Sequence, residues 1–261
     1  MALGTATSRK VTRVRDGPPR GTLGTIHNAR ILLELLIEGP ARTHQLTDLA
    51  ARSGLSLPTV HRLLRSLVTA GLVEQDPQTS RYGLGPQLFR LGDYYVSRLP
   101  SLKAATPFLV ELRKQTQGSV VIAVLVETDA VYLDRIDGND VGGVYRDGRR
   151  VHQALSCAAG RVLAANAPDD VWKKVIANHD DRWSSEDRDH WCQADYVLVK
   201  DVGTAGHVEI AAPIRDTDGD VRAAVTVTGN PAVFTPEHLE TDVARHLLRT
   251  VNAIPWGVGR G

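Results

Sequence analysis

The chain has 261 residues, of which 42% are hydrophobic and 23% charged, and its formal net charge is +1. This length suits a small domain plus a medium one, with enough apolar side chains for a packed core. Cys157 and Cys192 are too few for a disulfide framework, and no apolar run approaches the roughly 20 residues that span a membrane. We therefore expect a two-domain cytoplasmic protein.

The charges are distributed unevenly along the chain. Residues 1–90 contain 12 Lys and Arg against 6 Asp and Glu, whereas residues 91–261 contain 19 against 24. A DNA duplex attracts the basic half and repels the acidic half, so the field orients the molecule before contact. The first residues are basic and rich in Gly, Pro, Ser and Thr, and we predict a flexible basic arm over residues 1–24. Both a solvated tail and a DNA-contacting arm fit this composition.

Two helices are predicted in "TIHNARILLELLIEG" and "THQLTDLAARSG", where apolar residues recur at the helical period. Ala50, Gly54 and Val60 stand at offsets of 0, +4 and +10 across the end of the second helix. A small residue where helices touch, a glycine for a sharp turn and a branched core residue are typical of a helix-turn-helix.

A third helix begins near Ser56, a favourable N-cap, with Pro58 in its first turn. Its predicted core face consists of Val60, Leu63, Leu64, Leu67 and Val68. After Gly71, the segments "LVEQD" and "RYGLG" predict two short strands joined through a turn at Asp76-Pro77. Together these elements predict a winged helix-turn-helix domain over residues 25–86.

The polar face of the third helix and the wing supply the candidate DNA contacts. An arginine is well suited to reading a guanine edge or to binding phosphate, and hydroxyl and imidazole groups add hydrogen bonds. An ordinary helical corner with a solvated basic face is the alternative interpretation of the same residues. The candidate DNA-binding residues are Ser56, Thr59, His61, Arg62, Arg65 and Arg81.

A linker helix is predicted in "PQLFRLGDYYVSRL", over residues 87–100, with a domain boundary at Pro100-Ser101. The second domain, residues 101–256, begins with a helix in "TPFLVELRKQTQG". Predicted strands follow in "SVVIAVLVE", "AVYLDRIDG", "DVGGVYRDG", "YVLVK", "HVEIAAPIRD" and "VRAAVTVTG". Three small helices interrupt them, and a last helix is capped by Thr235 and runs to about Ile254. This order predicts an α+β domain with an antiparallel sheet.

From about Thr25 to Ile254 the chain resembles the IclR family of bacterial transcriptional regulators. The resemblance is carried by "SLPTVHRLLRSLVTAGLVEQDPQTSRYGLG", "SCAAGRVLAA" and "IAAPIRDTDGDVRAAVTVTGNPAVFT". It implies a winged helix-turn-helix followed by a GAF-like α/β effector-binding domain with an antiparallel sheet. It also implies binding of a double-stranded DNA operator and a homo-oligomer, either a dimer or a dimer of dimers.

The same resemblance implies an effector site built from eight positions of this chain. Small residues with free N–H groups form its floor, two hydroxyls lie on one strand face, and two polar residues lie on the preceding strand. These residues are Cys157, Ala158, Ala159, Gly160, His207, Glu209, Thr226 and Thr228. Because a glutamate repels a carboxylate, we expect an effector of amide, amine or hydrazide type. A surface strand pair of His207 and Glu209 is the alternative.

Two rival functions use residues of the second domain. Cys157, His207 and Glu209 are the residue types of a thiol-dependent hydrolase, although no local nucleophile signature accompanies the cysteine. The segment "NHDDRWSSEDRDHWC" gathers His179, Asp180, Asp181, His190 and Cys192, but its spacings match no compact zinc pattern. Since no phosphate-binding loop is present either, we expect neither a metal nor a cofactor, and no enzymatic activity.

Overall fold

The computed structural model describes residues 23–38, 41–139, 151–179, 183–202 and 206–256. The chain divides into two compact units, and the division falls between Arg98 and Leu99. The predicted linker, residues 87–100, spans this division. Nearly all of the predicted basic arm, and the predicted strand in "DVGGVYRDG", lie outside the described residues.

The first unit is a winged helix-turn-helix. Its helices and strands are α1 Gly24–Ile37, α2 Leu46–Ser53, α3 Leu57–Thr69, β1 Val73–Gln75, β2 Tyr82–Leu84 and α4 Gln87–Ser97. Gly54 ends α2 in a left-handed conformation, with φ of 70°, and its N–H donates to the carbonyl of Ala50 at 3.1 Å. Val60 is fully buried in the core shared by the first three helices. The predicted helix-turn-helix spacing is thus confirmed.

Two details of α3 differ from the sequence prediction. Val68 was expected in the core but is exposed, because it lies about 80° around the helix from Val60 and beyond the edge of the buried stripe. Ser56 occupies the N-cap position, yet its hydroxyl makes no bond to a backbone N–H. That hydroxyl lies 2.8 Å from the Thr59 hydroxyl instead. A side-chain pair on the exposed surface therefore replaces the expected backbone cap.

The wing is a two-stranded antiparallel hairpin of β1 and β2. Its turn is organised by Asp76, whose carboxylate accepts the N–H groups of Gln78 and Thr79 at 2.8 and 3.3 Å. A backbone bridge between His44 and Tyr82, with N–O distances of 2.8 Å in both directions, joins the wing to the segment before α2. The hairpin is therefore fixed to the helical core at its second strand.

The second unit is built on a six-stranded antiparallel sheet in the order β5-β4-β3-β8-β7-β6. The strands are β3 Ser119–Val126, β4 Asp129–Ile136, β5 Val151–Gln153, β6 Val197–Val202, β7 His207–Arg215 and β8 Val221–Gly229. The helices are α5 Pro100–Thr116, α6 Ala158–Ala165, α7 Asp169–Ala177, α8 Ser185–Gln193, α9 Pro236–His238 and α10 Ala244–Ala253. This α+β architecture with an antiparallel sheet agrees with the sequence prediction.

The central strands carry apolar side chains on both sheet faces. Val121, Ala211 and Ala224 pack with α6, α7 and α8 in one core cluster. Residues of the opposite parity, such as Ile122 and Val225, point away from α6, and α5 and α10 contact the same strands. Helices therefore cover the middle strands on both faces. For this reason β3, β7 and β8 have nearly uninterrupted apolar sequences.

A proline begins the first helix of the second unit, and a threonine cap begins its last helical segment. Pro100 is the first residue of α5, which runs without a break through Pro107, so the helix begins several residues before the predicted "TPFLVELRKQTQG". Thr235 caps α9, since its hydroxyl accepts the His238 N–H at 3.3 Å. The predicted last helix is interrupted by a π-helical turn at Leu239–Val243 before α10. Among the described residues, no helix combines the length and apolar character needed to cross a membrane.

Candidate functional site

The polar face of α3 projects away from the helical core. His61, Arg62 and Arg65 are exposed, whereas Thr59 is half-buried beside Ser56. The buried residues of α3 fall on the opposite side, which fixes the direction of this face. The structure therefore brings five of the six predicted DNA-binding residues together along one helix.

Arg62 and Arg65 carry guanidinium groups that no carboxylate of the first unit neutralises among the described residues. Neither has an ion-pair or hydrogen-bond partner within the described ranges, whereas Arg52 pairs with Glu38 at 2.6 Å and Asp48 at 3.1 Å. An arginine already paired with carboxylates is a weaker attractant for phosphate or a base edge. The cationic charge on α3 is consequently available to a ligand.

Arg81 is held against the helical core. It directly precedes β2, is half-buried, and its Nε donates to the Thr43 carbonyl at 3.4 Å. The outer turn of the hairpin is formed by residues 77–80, so the guanidinium belongs to the base of the wing. Its remaining N–H groups lie beside the segment that leads into α2.

The second candidate site lies at the start of α6. Cys157 is the N-cap residue, and Ala158, Ala159 and Gly160 form the first turn, all of them buried. A Cβ atom on Gly160 would stand only 2.0 Å from the carbonyl oxygen of Ala154, so no larger residue fits there. The preceding 3-10 turn, Ala154–Ser156, is therefore pressed against the helix.

Glu209 on β7 provides a buried carboxylate at the N-terminus of α6. Its Oε2 accepts the Ala158 N–H at 3.0 Å, and only 5% of the residue is exposed. Burial raises the pKa of the carboxyl to about 7, while the Ala158 N–H and the positive charges of Arg161 and Arg135 act in the opposite direction. The surface strand pair considered for Glu209 is thus excluded, because this side chain is in the core.

The two threonines of β8 lie on the sheet face that carries Glu209. Thr228 is directly opposite Glu209, and Thr226 is opposite Ala211 on β7 and Val121 on β3. Since Ala211 and Val121 pack against α6, the Thr226 side chain is directed into the same layer. Its hydroxyl is buried and has no hydrogen-bond partner among the described residues. An unpaired buried hydroxyl is costly, and a ligand would satisfy it.

Cys157 is poorly suited to nucleophilic catalysis. Burial, together with the charge of Glu209, raises the pKa of its thiol to about 12, so the thiolate is scarce at neutral pH. The Sγ atom lies 3.9 Å from the Ala154 carbonyl, and His207 is half-buried at the beginning of β7. Nothing in this geometry supports the thiol-dependent hydrolase.

Three further residues near Glu209 were missed by the sequence analysis. Tyr132 on β4 interacts with the Cys157 thiol, and burial raises the pKa of its hydroxyl. A register shift in β4 brings Arg135 opposite Val121, so its charge reaches the layer occupied by Glu209. Arg161 on α6 donates from Nε to the Leu155 carbonyl at 3.1 Å. The only sequence signal for any of the three was the alternation of residues along β4, which indicates the sheet face of Tyr132 but not its contact with Cys157.

The predicted polar segment around α8 is held by aromatic and ionic contacts. The Arg161 guanidinium lies over the rings of Trp183 and Trp191, with distances of 4.6 and 5.3 Å to their centroids. No cluster of three or more His, Cys, Asp and Glu side chains placed for a metal ion occurs in the part of the chain that the structure describes. Asp180 and Asp181 lie outside it.

Comparison with known proteins identifies the chain. The family model described as the IclR helix-turn-helix domain matches residues 25–77, and that described as the bacterial transcriptional regulator IclR C-terminal matches residues 93–185. The glycerol operon regulatory protein of Streptomyces coelicolor is 31% identical over 218 residues, which cover 78% of this chain and 84% of that protein. The chain belongs to the IclR family. It is a transcriptional regulator with a DNA-binding helix-turn-helix and a C-terminal effector-binding domain.

Solved structures of IclR-family proteins share this fold. A regulator from Brucella abortus has a TM-score of 0.76 at 23% identity, covering 90% of this chain and 92% of that chain. An IclR homologue from Microbacterium hydrocarbonoxydans, determined in complex with 4-hydroxybenzoate, has a TM-score of 0.58 at 19% identity, covering 88% and 99%. At these identities the likeness establishes the architecture alone.

The buried Glu209 carboxyl makes the stability of this IclR-family protein depend on pH. Its pKa of about 7 in the folded state exceeds the ordinary glutamate pKa of 4.5, so the folded state binds the proton more tightly. The corresponding stabilisation is complete below about pH 4.5 and is lost as the pH rises through about 7. The free energy of unfolding of Glu209→Gln, measured relative to that of the wild type, should therefore increase by up to about 3 kcal/mol as the pH rises from about 5 to about 8.

Urea unfolding of the full chain at a series of pH values measures this difference. Glu240→Gln, which changes an exposed glutamate, is the matched control and should follow the wild type throughout. A constant difference between Glu209→Gln and wild type over this range would show that Glu209 keeps an ordinary pKa.

Proposed function

We propose that this IclR-family regulator binds its operator through the exposed face of α3 and releases or retains it according to a hydrogen-bond-donating effector held near Glu209. The supporting observation for DNA binding is that Arg62 and Arg65 on α3 have no ion-pair or hydrogen-bond partner among the described residues. The support for the effector class is the buried Glu209 carboxylate together with the Thr226 hydroxyl on the same sheet face, which has no hydrogen-bond partner in the described ranges. A regulator of this kind acts on chromosomal DNA, so we place it in the cytoplasm.

The proposed DNA contacts divide into base reading and phosphate binding. Arg62 occupies the middle of the exposed face and is our candidate for a bidentate contact with guanine, flanked by His61 and Arg65. The Ser56 and Thr59 hydroxyls, at the N-terminus of α3, are proposed to bind phosphate oxygens. Arg81, anchored at the base of the wing, is proposed to bind phosphate with the N–H groups that Thr43 leaves unused.

Removing Arg62 should weaken the specific complex by roughly 1 to 3 kcal/mol and relax the preference at one base pair. Arg81→Ala should weaken all sequences alike and make the affinity less dependent on salt, because one phosphate contact is lost. Fluorescence anisotropy on an operator selected from random duplexes, repeated at several salt concentrations, measures both effects.

Arg30→Ala provides the matched control for these variants. Arg30 is exposed on α1 and pairs with Glu34 at 2.6 Å, so Arg30→Ala lowers the net charge by one, as the other variants do, at a residue outside the proposed interface. It should leave the affinity and the salt dependence nearly unchanged. Wild-type affinity of both Arg62→Ala and Arg81→Ala would refute the assignment of these residues to the DNA interface.

The effector is proposed to be an amide, amine or hydrazide. The first N–H of α6 is already satisfied by Glu209, so an incoming carboxylate would compete with a protein carboxylate for the same donor. A ligand N–H instead finds an acceptor in Glu209 and a second partner in the Thr226 hydroxyl. The surrounding Ala158, Ala159 and Ala211 favour a compact ligand.

Two sets of probes with nearly constant shape test this polarity. Acetate, acetamide and acetamidinium carry charges of −1, 0 and +1, as do benzoate, benzamide and benzamidinium, and benzohydrazide adds the hydrazide class. Thermal shift of the full chain should rank each set amidinium, amide, carboxylate, because binding stabilises the folded state. Glu209→Gln should weaken the amidinium by about tenfold or more and favour the carboxylate. Carboxylate binding by the wild type that ignores Glu209→Gln would refute the proposed class.

A homo-oligomer, either a dimer or a dimer of dimers, is proposed from α4. This 11-residue helix contains no buried residue, and its Phe89 is 79% exposed. Leu91 and Tyr95 are exposed as well, one helical turn apart. A helix this short is marginal in water without tertiary packing, so a second copy of the chain is the proposed cover for its apolar side chains.

Light scattering on the full chain, free and on DNA, tests this assembly. The wild type should have at least twice the mass of one chain, and Phe89→Glu combined with Leu91→Glu should shift the population towards single chains. Ser97→Glu adds the same charge to α4 at a residue that is already polar, and it should leave the mass unchanged. A wild-type protein that is a single chain under both conditions would contradict the proposal.

No enzymatic activity is proposed. The Cys157 thiol, which the hydrolase would require as a thiolate, has a pKa raised to about 12. Members of the IclR family act as transcriptional regulators, and the residues around Glu209 are accounted for by ligand binding.

A further inference from the structure

The start of α6 contains a hydrogen bond that a bound ligand must either keep or break. Glu209 takes the Ala158 N–H through Oε2, which leaves its second carboxyl oxygen to face another partner. The Thr226 hydroxyl, on the same sheet face, either donates or accepts. A ligand placed between these groups therefore meets a carboxyl whose protonation decides whether it accepts or donates.

Among the described residues, the charged and titratable groups that act on Glu209, or on the thiol and phenol coupled to it, lie on β4, α6 and β7. Arg135 and Tyr132 lie on β4, Arg161 and the capping Cys157 belong to α6, and His207 stands two residues before Glu209 on β7. Burial raises the pKa of both the Tyr132 hydroxyl and the Cys157 thiol, so these groups stay neutral. Glu209, with a pKa of about 7, changes its charge near neutral pH.

We propose that ligand binding at this site is coupled to proton exchange at Glu209, so that a cationic ligand expels a proton and an anionic ligand takes one up. This inference rests on the effector site proposed above. In the first case the neutral carboxyl loses its proton to the solvent and the carboxylate accepts the ligand N–H. In the second case the carboxylate gains a proton from the solvent, and its O–H donates to the anion. In both cases the net charge of the buried site is the same before and after binding, so the ligand adds no further charge to it.

Such coupling makes the preference for a cationic or an anionic effector depend on pH. The affinity for a cation should fall tenfold for each pH unit below about 7, since the carboxylate becomes scarce. The affinity for an anion should fall tenfold for each unit above about 7, because the neutral acid becomes scarce. A neutral amide contains both donor and acceptor atoms and should show the weakest dependence.

Calorimetry of the full-length protein counts the protons directly. Benzamidinium and benzoate, and acetamidinium and acetate, are titrated at about pH 7 in phosphate and in Tris, which differ in enthalpy of ionisation. The buffer dependence of the heat should show release of about half a proton for the amidinium and uptake of about half for the carboxylate, as expected at the midpoint of the Glu209 titration. Glu209→Gln should reduce both numbers to zero.

Two variants separate Glu209 from its neighbours. His207→Asn removes the imidazole that stands two residues before Glu209 on β7, and the opposite signs of proton exchange should persist whatever happens to the affinity. Thr226→Val removes the unpaired hydroxyl at nearly constant volume. It should raise the melting temperature of the free protein while weakening every ligand, and it should leave the number of exchanged protons unchanged.

Carbon-13 NMR of the glutamate carboxyl groups in the ligand-free protein gives an independent reading. One resonance, absent in Glu209→Gln, should titrate near pH 7, and a Glu209 that stays ionised down to pH 5 would overturn the coupling without any ligand. Probes that bind with no proton exchange would leave the effector site standing and refute the coupling alone. If no probe of either charge binds, both the effector class and the coupling are refuted.

Discussion

The hydrogen bond between the Ala158 N–H and the Glu209 carboxyl joins α6 to the sheet of the C-terminal domain at a point from which the protein excludes water. It connects the first residue of the helix to β7, the strand next to the edge of the sheet. A helix N-terminus attracts negative charge, which compensates part of the cost of burying a carboxyl group. The compensation is incomplete, so the pKa of Glu209 settles near neutrality. This contact holds the first residue of α6 to the sheet, and the buried carboxyl that makes it adds to the effect of burial in raising the pKa of the Cys157 thiol and sets the polarity of the proposed site.

The DNA-binding unit follows a different principle, in which charge is partitioned between structure and function. Arg52 forms ion pairs with Glu38 and Asp48 within the helical unit. Arg62 and Arg65, in contrast, have no counter-ion among the described residues. Surface ion pairs contribute little to stability, so unpaired arginines on α3 are tolerated at small energetic cost. Apolar contacts thus stabilise the fold of this unit. The positive charges of Arg62 and Arg65 remain accessible to a ligand.

Local sequence signals were sufficient for much of the fold. The left-handed Gly54, the buried Val60 and the threonine cap at Thr235 depend on neighbours within a few residues, and each was predicted from them. The exposure of Val68 was not, because a residue at the edge of an apolar stripe is buried only if a partner reaches it.

The candidate site was harder to predict because its contacts join distant segments. The resemblance to a family brought Glu209 and Ala158 into one site, but the bond between them spans 51 positions of sequence and no local pattern encodes it. The approach of Arg135 depends on one register shift in β4, which simple alternation does not anticipate. The unpaired state of Thr226 is a property of everything packed around it and so lies beyond any reading of the strand alone.

Gly160 gives α6 a mechanical property. Because its backbone rests directly on the Ala154 carbonyl, the helix and the 3-10 turn before it form one stiff piece with no room to slide against each other. The start of α6 and the turn before it are therefore expected to move together, because close-packed atoms transmit a displacement to their neighbours.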